Sequence, residues 1–241
     1  MNDIDRFDRD GFVIVDGVFA QQEMQEFSTA FVALVDALNG RQIGEIYDAC
    51  AHLPEFLRLV GRWSTVAVVN SLLGNPHGSP LYTFTPRVRI DPPLDDRRTY
   101  GWHQEEFYSI PGSRFIQTWA PLINDTTPEN GTIQVCVGSH KEGVAEQSWA
   151  DIDGRATQII VAPEVVNKYE QRAIPMEVGQ MMFFNSRLFH RSGKNTSNEV
   201  RLSMVGQYHD VNSPGFNAPK PKHEWRGETP REYYDRWRRG A

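Results

Sequence analysis

The chain after residue 80 most restricts the possible fold, because it consists of short apolar or alternating runs. Runs of this length and texture are typical of β-strands, and turn-rich segments such as "NDTTPENG" and "VGSHKEG" separate them. The runs are "LYTFTPRVRI", "FIQTWAPLI", "TIQVCV", "TQIIVA", "QMMFF" and "EVRLSMVGQYH". This pattern predicts an antiparallel β-sandwich or barrel between about residues 81 and 210.

Helices are predicted on both sides of this β region. Residues 21–40 carry apolar side chains at helical spacing and end at Asn39-Gly40. A second apolar helical pattern, "PEFLRLVGRWSTVAVVNSLLG", follows, and "PREYYDRWRRG" predicts a short helix near the end of the sequence. We therefore expect a mainly β fold with flanking helices: a helical part over residues 1–80, a β core over 81–210, and a loop and helix over 211–241.

Composition and charge limit the classes of protein and partner. A chain of 241 residues that is 39% hydrophobic can bury one sizeable core, so we expect a single domain. The net charge of −6 argues against nucleic-acid binding, which needs a basic face. The charged N-terminal segment predicts neither a signal peptide nor a membrane span, and two cysteines are too few for a disulfide framework. These features predict a cytoplasmic protein with a small-molecule partner and no membrane or nucleic-acid partner.

The segment "GWHQEEFY", residues 101–108, contains a pattern that could bind a metal ion. In an extended chain, side chains at positions i and i+2 leave the same face, so His103 and Glu105 would point together. Glu106 would then face away, which makes it the second choice as a ligand. A polar strand face is the commoner origin of such a pattern when it is considered alone.

His190 is the best candidate for a third ligand. It follows an apolar run and opens a Ser-Gly-Lys-Asn turn, so it could stand at a barrel rim. Two histidines and one carboxylate form the ligand set of non-haem Fe(II) oxygenases and leave positions open for a co-substrate and dioxygen. Zinc enzymes also use such ligands. His140 is not needed, because the set is complete without it. Four other histidines have no spacing that favours metal binding: His52, His77, His209 and His223.

An arginine follows this histidine on a predicted strand. Arg201 and Ser203 would share one strand face, while Leu202 and Met204 would lie on the other. An inward guanidinium is costly unless it meets a carboxylate, and its planar fork suits bidentate pairing. An anion clamp beside the metal and a structural salt bridge would both satisfy this requirement.

Three segments resemble the phytanoyl-CoA dioxygenase family of Fe(II)/2-oxoglutarate-dependent oxygenases. They are "WHQE", "TWAPLINDTTPENGTIQVCVGSHKEG" and "GQMMFFNSRLFHRSGKNTSNEVRLS", in the order and spacing of the family, and the resemblance covers roughly residues 81–209. It implies a double-stranded β-helix, also called a jelly-roll or cupin-like core. It further implies that His103, Glu105 and His190 bind iron and that Arg201 holds the distal carboxylate of 2-oxoglutarate.

The same resemblance implies the remaining co-substrate residues and the reaction. Trp119 and Ser192 match family positions that line the 2-oxoglutarate site, and Ser203 shares the predicted face of Arg201. The implied cofactors are Fe(II), 2-oxoglutarate and O2, with release of succinate and CO2. The family usually has aspartate where this chain has Glu105, whose extra methylene moves the carboxylate by about 1.5 Å. Halogenating relatives have a small residue there, so Glu105 favours hydroxylation.

Arginines near the metal segment indicate the class of substrate. Arg87 and Arg89 share one strand face, and Arg97 and Arg98 precede the segment at residues 101–108. They predict a small or medium-sized polar substrate, including one with a carboxylate or phosphate. Pairing with nearby acids is the alternative, and the candidate partners are Asp91, Asp95 and Asp96. Aromatic rings expected to wall the pocket include Tyr100 and Tyr108.

Two other classes of function are compatible with the ligand pattern. A cupin-like protein could bind a ligand or sugar without redox turnover, but it would not need Arg201 aligned with a metal site. A zinc or manganese isomerase or hydrolase could use the same ligands. Anaerobic Fe(II) with 2-oxoglutarate should give a visible charge-transfer band only in the oxygenase.

Overall fold

Antiparallel strands form the centre of the protein, and helices cover one side of them. The computed structural model describes residues 2–39, 46, 49–95, 99–152, 156–218 and 230–239. Its elements, in chain order, are α1 (Asp3–Asp10), β1 (Phe12–Val15), α2 (Gln21–Ala37), α3 (Pro54–Val60), α4 (Trp63–Leu72), β2 (Leu81–Asp91), a 3-10 helix (Glu105–Tyr108), β3 (Phe115–Pro121), β4 (Ile133–Cys136), a second 3-10 helix (Ser139–Glu142), β5 (Gln147–Ile152), β6 (Ala156–Val161), α5 (Pro163–Val166), β7 (Gln171–Ala173), β8 (Met181–Asn185), β9 (His190–Ser192), β10 (Arg201–Asp210) and α6 (Pro230–Arg238).

The strands form three antiparallel sheets. The larger sheet has the order β1-β8-β3-β10-β2, and the smaller one has the order β7-β4-β9. A hairpin of β5 and β6 forms the third sheet. The order of the larger sheet differs from the chain order, so long connections bring sequence-distant strands together. This arrangement makes β10 the neighbour of both β2 and β3.

Strand alternation divides the core into layers. Side chains such as Trp119, Phe184 and Val205 of the larger sheet pack against Ile133 and Val135 of the smaller sheet. The other face of the larger sheet packs against α1 to α4 and includes Phe183, Leu202, Met204 and Tyr208. A cavity lined by Trp119, Ile133, Phe184 and Val205 lies in this layer between the two sheets, away from the helices.

Local sequence explains where the helices start and stop. Asn2 caps α1, exchanging hydrogen bonds with Asp5, and the helix ends at Gly11, which has a φ of 87°. The second helical pattern, which looks continuous in sequence, is broken into α3 and α4. The break follows Gly61, because Arg62 adopts an extended conformation and serves as the N-cap of α4. None of the helices among the described residues is both long and apolar enough to cross a membrane.

The structure confirms a mainly β fold with flanking helices. Each of the six strand-like runs coincides with a strand of the structure. The sequence did not predict β5, β7 or β9, because these strands are short or lack a clear alternation of apolar residues.

Candidate metal centre

Three buried side chains, His103, Glu105 and His190, bring metal-binding atoms together between the sheets. One ligand atom from each lies within 4.8 Å of the others. Glu105 Oε1 is 3.2 Å from His190 Nε2 and 3.5 Å from His103 Nε2. The sequence predicted this set. The fold brings His103 and Glu105 next to His190, although Glu105 and His190 are 85 positions apart in sequence.

The backbone around Glu105 differs from the predicted strand. His103 pairs with His190 in an isolated antiparallel bridge, but Glu105 is the first residue of a 3-10 helix. Gln104 remains extended between them, so the alternation of side chains persists as far as Glu105. The expectation of a regular strand through both ligands was wrong, although the predicted convergence of the two side chains was correct.

Backbone carbonyls determine which imidazole nitrogen faces the centre. His103 Nδ1 lies 2.8 Å from the carbonyl oxygen of Gly101, and His190 Nδ1 lies 3.0 Å from that of Leu188. A carbonyl oxygen can only accept a hydrogen bond, so each Nδ1 carries the proton. Each Nε2 therefore presents a lone pair toward Glu105 Oε1, which is the form that binds a metal.

The local electrostatics favour the same protonation states. Burial alone would raise the pKa of Glu105, but the attraction between its carboxylate and the imidazoles of His103 and His190, when these carry a second proton, outweighs burial and holds that pKa below its usual range. Burial and the neighbouring His103 lower the pKa of His190. An ionised carboxylate beside a neutral imidazole is what metal coordination requires. The donor set therefore fits a divalent cation.

A cavity opens beside this cluster and includes most of the residues predicted to contact the co-substrate or substrate. Those that line it are Arg87, Arg89, Tyr100, Tyr108, Trp119 and Ser192. The ring centroid of His103 is 5.5 Å from that of Tyr100 and 5.9 Å from that of Tyr108. The aromatic wall predicted from the sequence therefore stands next to the candidate ligands.

Arg201 and Ser203 are both buried and are not among the residues that line the cavity. The Arg201 guanidinium is buried and lies 2.8 Å from Asp91 Oδ2. Arg201 therefore forms a salt bridge, which was the alternative to an anion clamp. Ser203 Oγ is buried and has no hydrogen-bond partner among the described residues. Both residues share the face of β10 with Val205, which lines the cavity.

The two arginines on β2 have different surroundings. Arg89 pairs with Asp91 at 3.0 Å, as one alternative had suggested, and lies over the Tyr100 ring. Arg87 is exposed and forms no ion pair with the part of the chain that the structure describes. Arg97 and Arg98 fall outside the described residues.

The residues kept as weaker metal candidates lie elsewhere. Glu106 accepts a hydrogen bond from Ser186 and faces Arg187 at 3.6 Å. His140 contacts the backbone carbonyl of Asp8. Neither belongs to the cluster of metal-binding atoms found among the described residues.

Two buried glutamines at the centre were not identified from the sequence. Gln207 donates a hydrogen bond to Glu105 Oε2 at 3.1 Å. Gln117 is its cross-strand neighbour and lines the cavity, and its Oε1 has no hydrogen-bond partner among the described residues. The available signal was a polar residue at each of these inward-facing strand positions, where apolar residues are expected.

Comparison with known proteins agrees with this geometry. The model of the phytanoyl-CoA dioxygenase (PhyH) family matches residues 7–203. The 1-deoxypentalenic acid 11-beta-hydroxylase of Streptomyces arenae is 28% identical over 90% of this chain and 84% of its own. The L-proline trans-4-hydroxylase of Streptomyces griseoviridis is 23% identical over 90% and 83% of the two chains.

A solved structure shows the same fold. The epimerase SnoN, in complex with Fe3+, alpha-ketoglutarate and nogalamycin RO, superposes with a TM-score of 0.70 at 21% identity, covering 92% of this chain and 91% of its own. Together, the family match and the ligand cluster confirm the predicted dioxygenase and its cofactors Fe(II), 2-oxoglutarate and O2. The chain belongs to the phytanoyl-CoA dioxygenase family.

Proposed function

We propose that this dioxygenase hydroxylates an unactivated C–H bond of a small or medium-sized polar metabolite, including anionic ones, with release of succinate and CO2. The observation that carries the proposal is the buried cluster of two imidazoles and one carboxylate beside a cavity. This donor set is the facial triad of non-haem Fe(II) oxygenases.

His103, Glu105 and His190 would hold the iron. When bound, Fe(II) supplies the activation of O2 that couples the oxidative decarboxylation of 2-oxoglutarate to oxidation of the substrate. The protein contributes a negative charge from Glu105 and two imidazoles whose tautomers are fixed by backbone carbonyls. The surrounding apolar layer between the sheets limits access of water.

Arg201 and Ser203, with Trp119 and Ser192, would bind 2-oxoglutarate. Arg201 offers a planar guanidinium on the inward face of β10, which suits a carboxylate. Ser203 Oγ supports the assignment, since a buried hydroxyl without a partner costs about 1 to 3 kcal/mol that a bound carboxylate would recover. Trp119 and Ser192 form the adjacent wall of the cavity.

Arg87 is the strongest candidate for recognising an anionic group of the substrate. It lines the cavity, is exposed and has no acidic partner among the described residues. Arg89 already pairs with Asp91, so it is second to Arg87. Tyr100 and Tyr108 would contact the body of the substrate. Two relatives are named for substrates that carry a carboxylate, 1-deoxypentalenic acid and L-proline.

We also propose a jelly-roll core within a single domain over residues 1–241. Two features support it: the two antiparallel sheets face each other, and the strand order of the larger sheet places β3 between β8 and β10. A cupin-like binding protein and a zinc or manganese isomerase or hydrolase, which the ligand pattern by itself allowed, do not agree with the family match. Epimerisation is a further alternative to hydroxylation, because the structurally similar SnoN is an epimerase.

The test begins with absorption spectra under anaerobic conditions. Fe(II) and 2-oxoglutarate together should give a visible charge-transfer band that neither zinc nor manganese gives. A screen of metabolite pools should then identify compounds that raise O2-dependent succinate release above the uncoupled background. Mass spectrometry of the product should show one added oxygen atom, whereas an isomer of unchanged mass would indicate epimerisation.

Arg87→Ala tests the substrate class. We expect it to raise the KM for an anionic substrate while uncoupled turnover of 2-oxoglutarate stays within about twofold of the wild-type value, a range comparable with ordinary surface substitutions. If only neutral apolar compounds stimulate turnover and Arg87→Ala leaves their kinetics unchanged, the anionic-substrate proposal is wrong and the oxygenase assignment stands.

A further inference from the structure

We propose that Gln207 is a positioning residue for the metal centre, which holds the Glu105 carboxylate so that one of its oxygens faces the histidines. This inference rests on the proposed iron site. It concerns a residue outside the ligand set, on a different element and distant in sequence from Glu105.

The two oxygens of Glu105 have different neighbours. Oε1 lies within 3.5 Å of both histidine Nε2 atoms, whereas Oε2 accepts a hydrogen bond from Gln207 Nε2 at 3.1 Å. Both side chains are buried, so water does not compete for this bond. Gln207 therefore occupies one oxygen and leaves the other directed at the ligand cluster.

Surrounding contacts fix the orientation of the Gln207 amide. Its Nε2 is also 3.3 Å from the backbone carbonyl of Tyr108, and its Oε1 is 3.2 Å from His209 Nε2. Because the carboxylate and the carbonyl can only accept hydrogen bonds, the amide nitrogen must face both of them. His209 must then donate from Nε2 to the amide oxygen.

His209 is itself held in the form that this arrangement needs. Its Nδ1 lies 3.0 Å from Ser113 Oγ, which can donate to it, and its ring stacks on Phe115 with centroids 4.5 Å apart. Burial lowers the pKa of His209 to about 4, so the ring is neutral at neutral pH. A chain of hydrogen bonds thus runs from Ser113 through His209 and Gln207 to Glu105.

The length of the glutamate side chain gives Gln207 its importance. Glutamate has one more rotatable bond than aspartate, so its carboxylate has more orientations to lose when it binds a metal. A hydrogen bond to Oε2 removes that freedom before the metal arrives. An aspartate at position 105 would place its carboxylate about 1.5 Å closer to its own backbone, beyond the reach of the same bond.

The main experiment measures Fe(II) affinity by anaerobic titration of the full-length chain. Gln207→Met keeps nearly the same volume but cannot donate, and we expect it to weaken Fe(II) binding about 10-fold or more, as other losses around metal ligands do. Thr118→Val is the matched control. It removes a buried hydrogen bond from Thr118 of β3 to the carbonyl oxygen of Gly206, the neighbour of Gln207 on β10, and this bond does not involve Glu105. Its Fe(II) affinity should stay within about threefold of the wild-type value.

A double-mutant cycle with Glu105→Asp separates positioning from general packing. In the Glu105→Asp background, Gln207→Met should change Fe(II) affinity by less than about threefold, because the shorter carboxylate does not reach position 207. If Gln207→Met does not fold, Gln207→Asn serves instead, since it keeps the amide but withdraws it by one methylene. Circular dichroism and thermal melts establish folding for each variant.

Each result decides between the proposals. The positioning role would be overturned if Gln207→Met kept wild-type Fe(II) affinity. It would also be overturned if Gln207→Met lowered Fe(II) affinity equally in the chain with Glu105 and in the chain with Glu105→Asp. A wild-type protein that binds no Fe(II) would instead overturn the proposed iron site. A loss confined to the glutamate background would support the inference.

Discussion

His103 and His190 each keep Nδ1 on a backbone carbonyl, and Glu105 stays ionised between them. These contacts leave a lone pair on each Nε2, so the centre is prepared for a cation before one binds. Replacing any one of the three should leave two donors, which rarely suffice for tight binding.

We expect His103→Ala, Glu105→Ala and His190→Ala each to abolish 2-oxoglutarate turnover and to lower bound iron at least 10-fold. Iron content and succinate formation should be measured on protein whose circular dichroism matches the wild type. Glu106→Ala is the control, because Glu106 faces Arg187 and Ser186 instead of the cluster. Loss of iron in the Glu106 variant with full retention in the Glu105 variant would reverse the assignment.

Arg201 and Asp91 make a second residue-level test possible. Removing Arg201 alone leaves the buried Asp91 carboxylate with only one of its two arginine partners named above, Arg89, so the comparison should start from Asp91→Asn. Adding Arg201→Ala to that variant should raise the KM for 2-oxoglutarate by a factor that corresponds to about 2 to 5 kcal/mol, with iron binding little changed. An unchanged KM would leave Arg201 with a structural role only.

His209 gives the molecule a specific pH dependence. Its folded-state pKa of about 4 lies below the unfolded value of 6.5, so its neutral form contributes stability above about pH 6.5 that is lost as pH falls toward 4. Between pH 7.5 and 5 the loss should be about 2 kcal/mol. Urea unfolding should be measured for the wild type and for His209→Gln at both pH values. The difference between their free energies of unfolding should be smaller at pH 5 than at pH 7.5. A constant difference would contradict the prediction.

At the level of elements, the short segment that carries His103 and Glu105 depends on its neighbours for its shape. The bridge to β9 holds one side, and the β5–β6 hairpin holds the other through hydrogen bonds from Ile159 N to Tyr108 Oη and from Gly101 N to Gln158. Gln104 completes the attachment from the middle of the segment. Its Nε2 donates to the carbonyls of Gly143 and Arg187, and its Oε1 accepts from Ala145 N.

Gln104→Leu should therefore weaken both the fold and the metal centre. It removes the hydrogen bonds to the buried amide of Ala145 and to two less buried carbonyls, those of Gly143 and Arg187, and we expect the free energy of unfolding to fall by about 2 to 4 kcal/mol. Chemical denaturation and Fe(II) titration would measure the two effects. Gln22→Leu is a suitable control, because among the described residues its amide hydrogen-bonds only to Glu26, on the exposed face of α2. A Gln104 variant as stable as this control would show that the attachment contributes little.

At the level of the whole molecule, the candidate ligands come from chain segments far apart in sequence. A bound ion would connect the segment after β2 to β9, and so would stabilise the folded state selectively. Fe(II) at 100 times its Kd should add about 2.7 kcal/mol to the free energy of unfolding and raise the Tm under anaerobic conditions. The shift should disappear in His190→Ala. An equal shift in that variant would indicate that the ion binds elsewhere.

Much of this architecture could be predicted from local patterns. Alternating runs located six strands, and the segment containing Met24, Phe27 and Phe31 located α2, because these patterns reflect which face of each element is buried. The ligand set was also predictable, since the order and spacing of the family motifs involve only residue type and position. The break between α3 and α4 was not, because Gly61 and Arg62 are compatible with a helix by themselves.

The sequence by itself determined six of the strands, the presence of helices on both sides of them, the family and the three candidate ligands. Only the tertiary structure decided which side chains surround those ligands. Gln207 reaches Glu105 because β10 lies beside β3 and β2, and Arg89 shares Asp91 with Arg201 because β2 pairs with β10. The contacts of Gln207 with Glu105 and of Arg201 with Asp91 join residues about a hundred positions apart, and no local pattern records them. The pairing of strands creates them, and it depends on how the whole core packs.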